Sequence, residues 1–290
     1  MSKMNGLCLS GGGIKAAAHI GAIKALEEAN IKFDYVSGTS SGSIIATLYA
    51  LGYTSDEMYE IFEKYSKKIK YVQFKSIVKI IYGLVFKRKI IVEGLNSGKT
   101  ISKIVRKFAS QKGITNINQI KMPIAIPMTR LSDGELYVAT SKQVRNTYSD
   151  KITYVNDMDI AKAVEASCSY PLVFSPCEIN DKQFVDGGVR ENTPWKELKA
   201  LGAEKVLGIG FETTLENTEK FDNMIEVGIQ SMNLICHELS NYEIAGIDYL
   251  IEIPTKKVSL LDRSKIEELY EVGYEVTKKK LKEFDLGWEF

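Results

Sequence analysis

The stretch Gly38-Thr39-Ser40-Ser41-Gly42 limits what this chain can fold into more than any other. It follows the short run Phe33-Asp34-Tyr35-Val36 and precedes the apolar segment Ser43-Ile44-Ile45-Ala46-Thr47-Leu48-Tyr49-Ala50-Leu51, so the order is strand, sharp turn, helix. A serine at the centre of such a bend keeps its hydroxyl exposed, and the flanking glycines spare the neighbouring backbone a collision. The helix behind it aims its N-terminal amides at the serine and favours negative charge there. Five such residues alone also fit an ordinary loop, so their surroundings must decide.

Leu7-Cys8-Leu9 is a short apolar strand, and Ser10-Gly11-Gly12-Gly13-Ile14-Lys15 is the loop after it. A helix follows, with Ala17, Gly21 and Ala25 on one row and Ala18, Ala22 and Leu26 on the next. This stripe of small residues suits close packing against a sheet. The triple glycine frees several amides to point into one cavity. Gly11-x-Gly13-x-x-Ala16 fits a dinucleotide fingerprint, with Asp34 placed 18 residues beyond Ala16 as the ribose-binding acid. The competing reading is an oxyanion hole for acyl transfer, which the adjacent serine turn favours because a nucleotide site needs no exposed serine there. A close-packed turn without a ligand is the third reading.

Further along, 124–126, 136–139, 206–209 and 250–253 read as strands, and 178–179 and 183–185 read as a hairpin about Asn180-Asp181. Asp186-Gly187-Gly188 follows the hairpin at once, an ordinary turn sequence if taken alone. Helical patterns cover 159–167, roughly 223–238 and 262–284. Strand and helix alternate to the end, which predicts a single three-layer α/β/α domain over 1–290 with a mostly parallel central sheet. Its motif-bearing core spans about 5–205, and 206–290 adds a C-terminal α/β portion.

The net charge of +1 conceals an asymmetry: between Lys64 and Lys112 there are 14 Lys or Arg and the single acid Glu93. Within that tract, 71–86 mixes Lys75 and Lys79 with Ile77, Ile80, Ile81, Leu84 and Phe86 and ends on Lys87-Arg88-Lys89. The pattern suits a helix with an apolar face and cationic flanks, membrane-facing or a lid, and also suits a solvated face over a buried helix. No base-reading motif accompanies the charge, so nucleic acid is not an expected partner. No apolar run approaches the ~20 residues that span a bilayer, and no signal pattern precedes the first strand. The four cysteines, Cys8, Cys168, Cys177 and Cys236, lack metal-ligand spacing and read as reduced core residues. The expected setting is cytoplasmic, with peripheral association at an anionic membrane through the basic tract.

A serine attacking a carbonyl needs a base, and the chain has two histidines, His19 and His237. Ser40, Asp186 and His237 stand in α/β-hydrolase order. Against that triad, only one clear strand precedes the serine's own, and His237 falls within a helical segment. A structural role suits His237 better, which leaves a carboxylate as the base.

Gly11-Gly12-Gly13-Ile14-Lys15, Gly38-Thr39-Ser40-Ser41-Gly42, Ala166-Ser167-Cys168-Ser169-Tyr170-Pro171-Leu172-Val173-Phe174-Ser175-Pro176 and Asp186-Gly187-Gly188 occur in one order and spacing. In this the chain resembles the patatin-like phospholipases over about two thirds of its length. The resemblance implies a patatin-like fold and a serine lipid acyl hydrolase. It implies a dyad of Ser40 as nucleophile and Asp186 as general base. It further implies an oxyanion hole from the amides of Gly11, Gly12 and Gly13, with Lys15 steadying that loop. Gly38, Gly42, Gly187, Gly188 and Asn192, with Pro194, complete the motifs. The family often has Gly-x-Arg-Gly where this chain has Gly13-Ile14-Lys15-Ala16, which keeps the charge and loses the planar fork of arginine. The substrate expected is a phospholipid or related lipid ester, and no metal or organic cofactor is called for. A non-catalytic lipid-binding or regulatory protein on the same fold is the alternative.

Overall fold

The structure, a computed structural model, describes residues 4–68, 96–144, 148–212, 224–255, 258 and 262–284. The first two strands, β1 (Asn5–Leu9) and β2 (Tyr35–Gly38), are buried at every position. Strands covered on both faces need no polar alternation, and Leu7-Cys8-Leu9 of β1 is apolar on both sides of the sheet. The others are β3 (Ile124–Arg130), β4 (Leu136–Thr140), β5 (Ile152–Val155), β6 (Cys177–Ile179), β7 (Lys182–Asp186), β8 (Lys205–Glu212) and β9 (Tyr249–Pro254). Among the described residues they form one sheet in the order β5-β4-β3-β2-β1-β8-β9, with β7 paired to β3 and β6 to β7. The strands β3, β2, β1, β8 and β9 run parallel, while β4 and β7 run against β3. Asn180 and Asp181, at φ 49 and 61, make the tight hairpin turn between β6 and β7.

Side chains alternate across the sheet. Leu7, Leu9, Val36, Leu207 and Ile209 enter the main core. Cys8, Tyr35 and Val206 face the other way and pack on Leu198 of α6 (Trp195–Leu201). The main core is covered by α1 (Ala16–Glu28), α2 (Ser41–Ala50), α3 (Ser55–Ser66), α4 (Lys99–Gln111), α5 (Ile160–Ser167) and α8 (Ile266–Phe284). Between β8 and β9 runs α7 (Met224–Glu243). Helices thus flank a mostly parallel sheet, as the alternation of the sequence predicts.

Two strands share one edge of β3. Val36 and Ser37 of β2 lie opposite Ile124 and Ala125. Beyond the end of β2 the same edge is taken by β7, whose Asp186 lies opposite Met128. The C-terminal ends of β2 and β7 therefore point at each other.

The small-residue stripe of α1 makes its closest approach to a helix rather than to the sheet. A Cβ on Gly21 would stand 1.9 Å from the Tyr270 carbonyl oxygen, and one on Gly273 would stand 2.1 Å from that of Ala18. The backbones of α1 and α8 thus touch where neither has a side chain. Gly21→Ala and Gly273→Ala are each expected to lower the melting temperature, with an overpacking cost of about 1–3 kcal/mol. Thermal denaturation checks this, and an unchanged transition in both variants would contradict the contact.

Part of the basic tract is resolved by α4, which buries Ile101, Val105, Phe108 and Ala109 and turns Lys103, Arg106 and Lys107 to solvent. That stretch is an amphipathic helix over the core, the plainer of the two readings. The expected apolar and cationic helix over 71–89 lies outside the described residues. Among the described residues no helix is long and apolar enough to cross a membrane. All four cysteines are unpaired, and Cys8, Cys168 and Cys177 are buried.

Candidate active site

Ser40 occupies the residue between β2 and α2 with φ 53 and ψ −128, a backbone that ordinary residues seldom adopt. The bend closes because two glycines leave no room for anything else. A Cβ on Gly38 would meet the Gly42 carbonyl oxygen at 2.4 Å, and one on Gly42 would meet that of Leu9 at 2.5 Å. Three hydroxyls brace the turn. Ser167 Oγ accepts from the Ser40 amide at 3.0 Å. Ser43 Oγ donates to the Ser40 carbonyl at 2.5 Å, and Thr39 Oγ1 donates to the Glu191 carbonyl at 2.9 Å. A strained conformation persists only where its surroundings over-determine it, and here they do.

Asp186 ends β7 and is 2% exposed. Its backbone amide donates to the Ser169 carbonyl at 3.0 Å, and its Oδ1 accepts from the Gly188 amide at 2.8 Å. Burial pushes its carboxyl up to about 7, while the Ser40 hydroxyl and the Gly188 amide, acting as hydrogen-bond donors, pull it back in part. The approach of Ser40 is close but not fully aligned, since Asp186 Oδ2 has no hydrogen bond of good geometry. Such contacts tighten when a substrate is bound. Cys168 and Cys236 lie near the same carboxylate, and burial holds both thiols protonated.

The glycine loop bends over this pair. The three expected amide donors are not equivalent. Gly11 N is committed to the Asn192 carbonyl at 3.2 Å. Gly12 N donates to Ser41 Oγ at 3.2 Å, a partner that can rotate away. Gly13 stands at φ 59 and opens the short turn that ends at Lys15, whose amide donates to the Gly12 carbonyl at 3.1 Å. Gly187 lies against β3, where a Cβ would meet the Pro127 carbonyl oxygen at 2.4 Å.

Asn192 ties the parts together. Its Oδ1 stands 2.5 Å from where a Gly11 Cβ would sit and 3.1 Å from a Gly188 Cβ. Its Nδ2 donates to Ser240 Oγ at 3.2 Å. Glu243 Oε2 accepts from the amides of Asn192 and Thr193 at 2.8 and 3.0 Å, and burial raises this carboxyl to about 7. Behind the same loop, burial and then the charge of Glu197 raise Glu191, so the two carboxyls resist ionising together.

Neither histidine joins Ser40 to Asp186. His19 Nε2 donates to the Ser10 carbonyl at 2.8 Å beneath the glycine loop, and burial lowers its pKa to about 4, so it stays neutral. His237 lines the cavity from α7 and makes no hydrogen bond to either residue. The ribose-acid reading of Asp34 also fails on position. It precedes β2 and accepts from the Asn5 amide at 3.1 Å, at the opposite end of the strand from the glycine loop.

Above the pair is a cavity of about 890 Å³. One wall is apolar, with Ile44 and Leu48 of α2, Phe62 of α3, Ile101 and Val105 of α4, and Phe174. The other carries Asn233, His237, Ser240 and Asn241 of α7. Tyr170 OH donates to Asn233 Oδ1 at 2.9 Å and links the two sides. The braces Ser167, Ser43 and Thr39 were visible in sequence only as hydroxyls within or beside motifs. Glu243 carried no local signal.

A family model described as patatin-like phospholipase matches residues 7–199. Lysophospholipase NTE1 of Meyerozyma guilliermondii is 25% identical over 299 residues, covering 93% of this chain and 18% of the relative. YqhO of Bacillus subtilis, an uncharacterized protein, is 31% identical over 198 residues, covering 64% of this chain and 63% of that one. This chain therefore spans less than a fifth of the NTE1 relative and under two thirds of YqhO. VipD of Legionella pneumophila shares the fold with a TM-score of 0.53 at 17% identity, covering 97% of this chain and 67% of VipD.

Proposed function

The chain belongs to the patatin-like phospholipase family, and from that premise we propose that it is a serine lipid acyl hydrolase working through Ser40 and Asp186. The observation that carries this is a buried carboxyl raised to about 7 beside a serine on a strained turn, both opening on one cavity. A base is most effective when its pKa lies near the working pH, and desolvation brings this carboxylate there.

In the proposed cycle Ser40 Oγ attacks the ester carbonyl and its proton passes to Asp186. The developing oxyanion takes the amides of Gly12 and Gly13, with the N-terminus of α2 adding a favourable dipole. Gly11, whose amide is already paired, holds the loop against Asn192 instead. Collapse breaks the C–O bond, and Asp186 returns the proton to the leaving alcohol. Asp186 next takes a proton from water, the hydroxide attacks the acyl-serine, and the fatty acid leaves as Ser40 regains its proton. The apolar wall fits the acyl chain of a phospholipid or related ester. Lys15 steadies the loop by position, and Gly38, Gly42, Gly187 and Gly188 supply the close turns.

A fluorophosphonate probe tests the reading: it should attach to Ser40 in the wild type and leave Ser40→Ala unlabelled. A folded wild type that takes no label would favour a non-catalytic lipid-binding protein. His237→Ala is expected to keep kcat/KM for a p-nitrophenyl ester within about threefold, because no proton path needs it. A collapse in that variant would instead argue for a triad. We place the protein in a reducing, cytoplasmic compartment, which its unpaired cysteines favour, with 206–290 folded as part of one domain. The tract from Lys64 to Lys112 would draw it to anionic lipid, so vesicle binding should weaken with salt.

A further inference from the structure

A helix that covers a cavity ordinarily turns its apolar face inward and its polar face to water. α7 departs from this on both sides. Its inner face is mixed, presenting Asn233, His237, Ser240 and Asn241 to the cavity beside Ile229 and Cys236. Its outer face carries Met224 (73% exposed), Val227 (49%), Leu234 (40%), Ile235 (60%) and Tyr242 (76%). At 3.6 residues per turn these five fall within an arc of about 100°. Ser231 and Glu238 share that arc, and Glu238 is its only charge. Leu172 extends the patch: it is 41% exposed, and its Cδ1 lies 2.7 Å from where a Gly228 Cβ would be.

The far side of the cavity has a cationic rim. Tyr65 lines the cavity, and Lys107 Nζ donates to its hydroxyl at 2.6 Å. Lys68 and Lys107 sit over its ring at 4.7 and 5.3 Å. The helix α4, which carries Lys107, also bears Lys99, Lys103 and Arg106 and no acid. The cavity thus lies between an exposed apolar stripe and a band of positive charge. A folded chain seldom leaves such a stripe to water.

We propose that the outer face of α7, with Leu172, is the surface on which this protein lies on a phospholipid bilayer. The apolar side chains enter the interfacial zone, and Lys68 with the cations of α4 meets anionic headgroups. This is the geometry of a helix lying in the membrane plane, consistent with one too polar to span it. The polar side chains of the inner face then border the route by which a lipid headgroup passes into the cavity. The proposal rests on the lipid-hydrolase reading for the nature of its substrate, but its test does not.

The experiment compares wild type with the double variant Ile235→Glu, Tyr242→Glu on vesicles of phosphatidylcholine containing a minor fraction of phosphatidylglycerol. Partition onto vesicles should fall about tenfold or more, since each side chain loses a fully apolar environment. Hydrolysis of a soluble p-nitrophenyl ester and the melting temperature should stay as in wild type, because neither residue lines the cavity or the core. Equal partition of both proteins would overturn the proposal. So would a wild-type dimer that the variant dissociates without change in vesicle binding, which would assign the stripe to a second copy. If neither protein hydrolyses any ester, the enzymatic reading fails while the partition measurement still decides the docking surface.

Discussion

Ser40→Ala should lower kcat/KM for a p-nitrophenyl ester by a factor on the order of 10⁵ while leaving the fold intact. The reason is local. No other hydroxyl stands on the bend beside Asp186: Ser41 accepts from Gly12, Ser43 is spent on the Ser40 carbonyl and Ser167 on the Ser40 amide. The substitution removes none of these braces, and alanine meets the same backbone strain as serine at φ 53. The melting temperature should therefore hardly change. What remains is the oxyanion donors and the cavity, which can still bind an ester but cannot form an acyl-enzyme. A loss smaller than about 100-fold would remove Ser40 from the role of nucleophile.

Asp186→Asn should be nearly as damaging to turnover, and it should also stabilise the protein above neutral pH. The wild-type carboxyl rises from 3.8 to about 7, mainly through burial. A base acts only when ionised, so kcat/KM of the wild type should climb as pH rises through about 7. Stability runs the other way. The folded state holds a proton that the unfolded state releases near the ordinary value. The contribution is thus fully present below that value and lost as pH rises from 3.8 through about 7. Asparagine keeps an acceptor for the Gly188 amide and carries no charge to bury. The variant should melt higher than wild type at alkaline pH, and the gap should close near pH 4. Glu243, also raised to about 7, gives wild type and variant the same slope, so their difference isolates Asp186. A pH–rate profile with no rise around neutrality, or a variant less stable than wild type at alkaline pH, would refute this account.

The strands that meet at the reaction centre were legible because both faces of the sheet are covered and their apolar runs are bounded by glycine, asparagine and aspartate. The segments that escaped are those whose pattern is shared between two demands. β5 is half-buried throughout at the end of the sheet, so Ile152 to Val155 carries no clear alternation. α4 reads as a basic tract because it carries Lys99, Lys103, Arg106 and Lys107 and no acid, yet Ile101, Val105 and Phe108 keep helical spacing beneath them. α3 begins with a reciprocal cap between Thr54 and Glu57, a local signal that the sequence carries in full. Motifs located Ser40, Asp186 and the glycine loop. They could not reveal that Gly11 is already paired, because its partner is a main-chain oxygen 181 positions away. Glu243 was equally hidden, since an acid on an unremarkable helix acquires meaning only from the two amides it meets.

The shared edge of β3 has a consequence for how such a molecule can diversify. β2, which ends two residues before Ser40, and Asp186 itself are both registered against that one strand, Ser37 opposite Ala125 and Asp186 opposite Met128. Whatever the chain does between leaving β2 and re-entering at β3 is an excursion whose two ends are fixed on neighbouring parallel strands. Lengthening it costs little, because closure entropy grows only with the logarithm of the excursion. Insertions there can remodel what the reaction centre encounters without moving the reacting atoms, so this interval, with its dense positive charge, can change length and surface while the site stays in place.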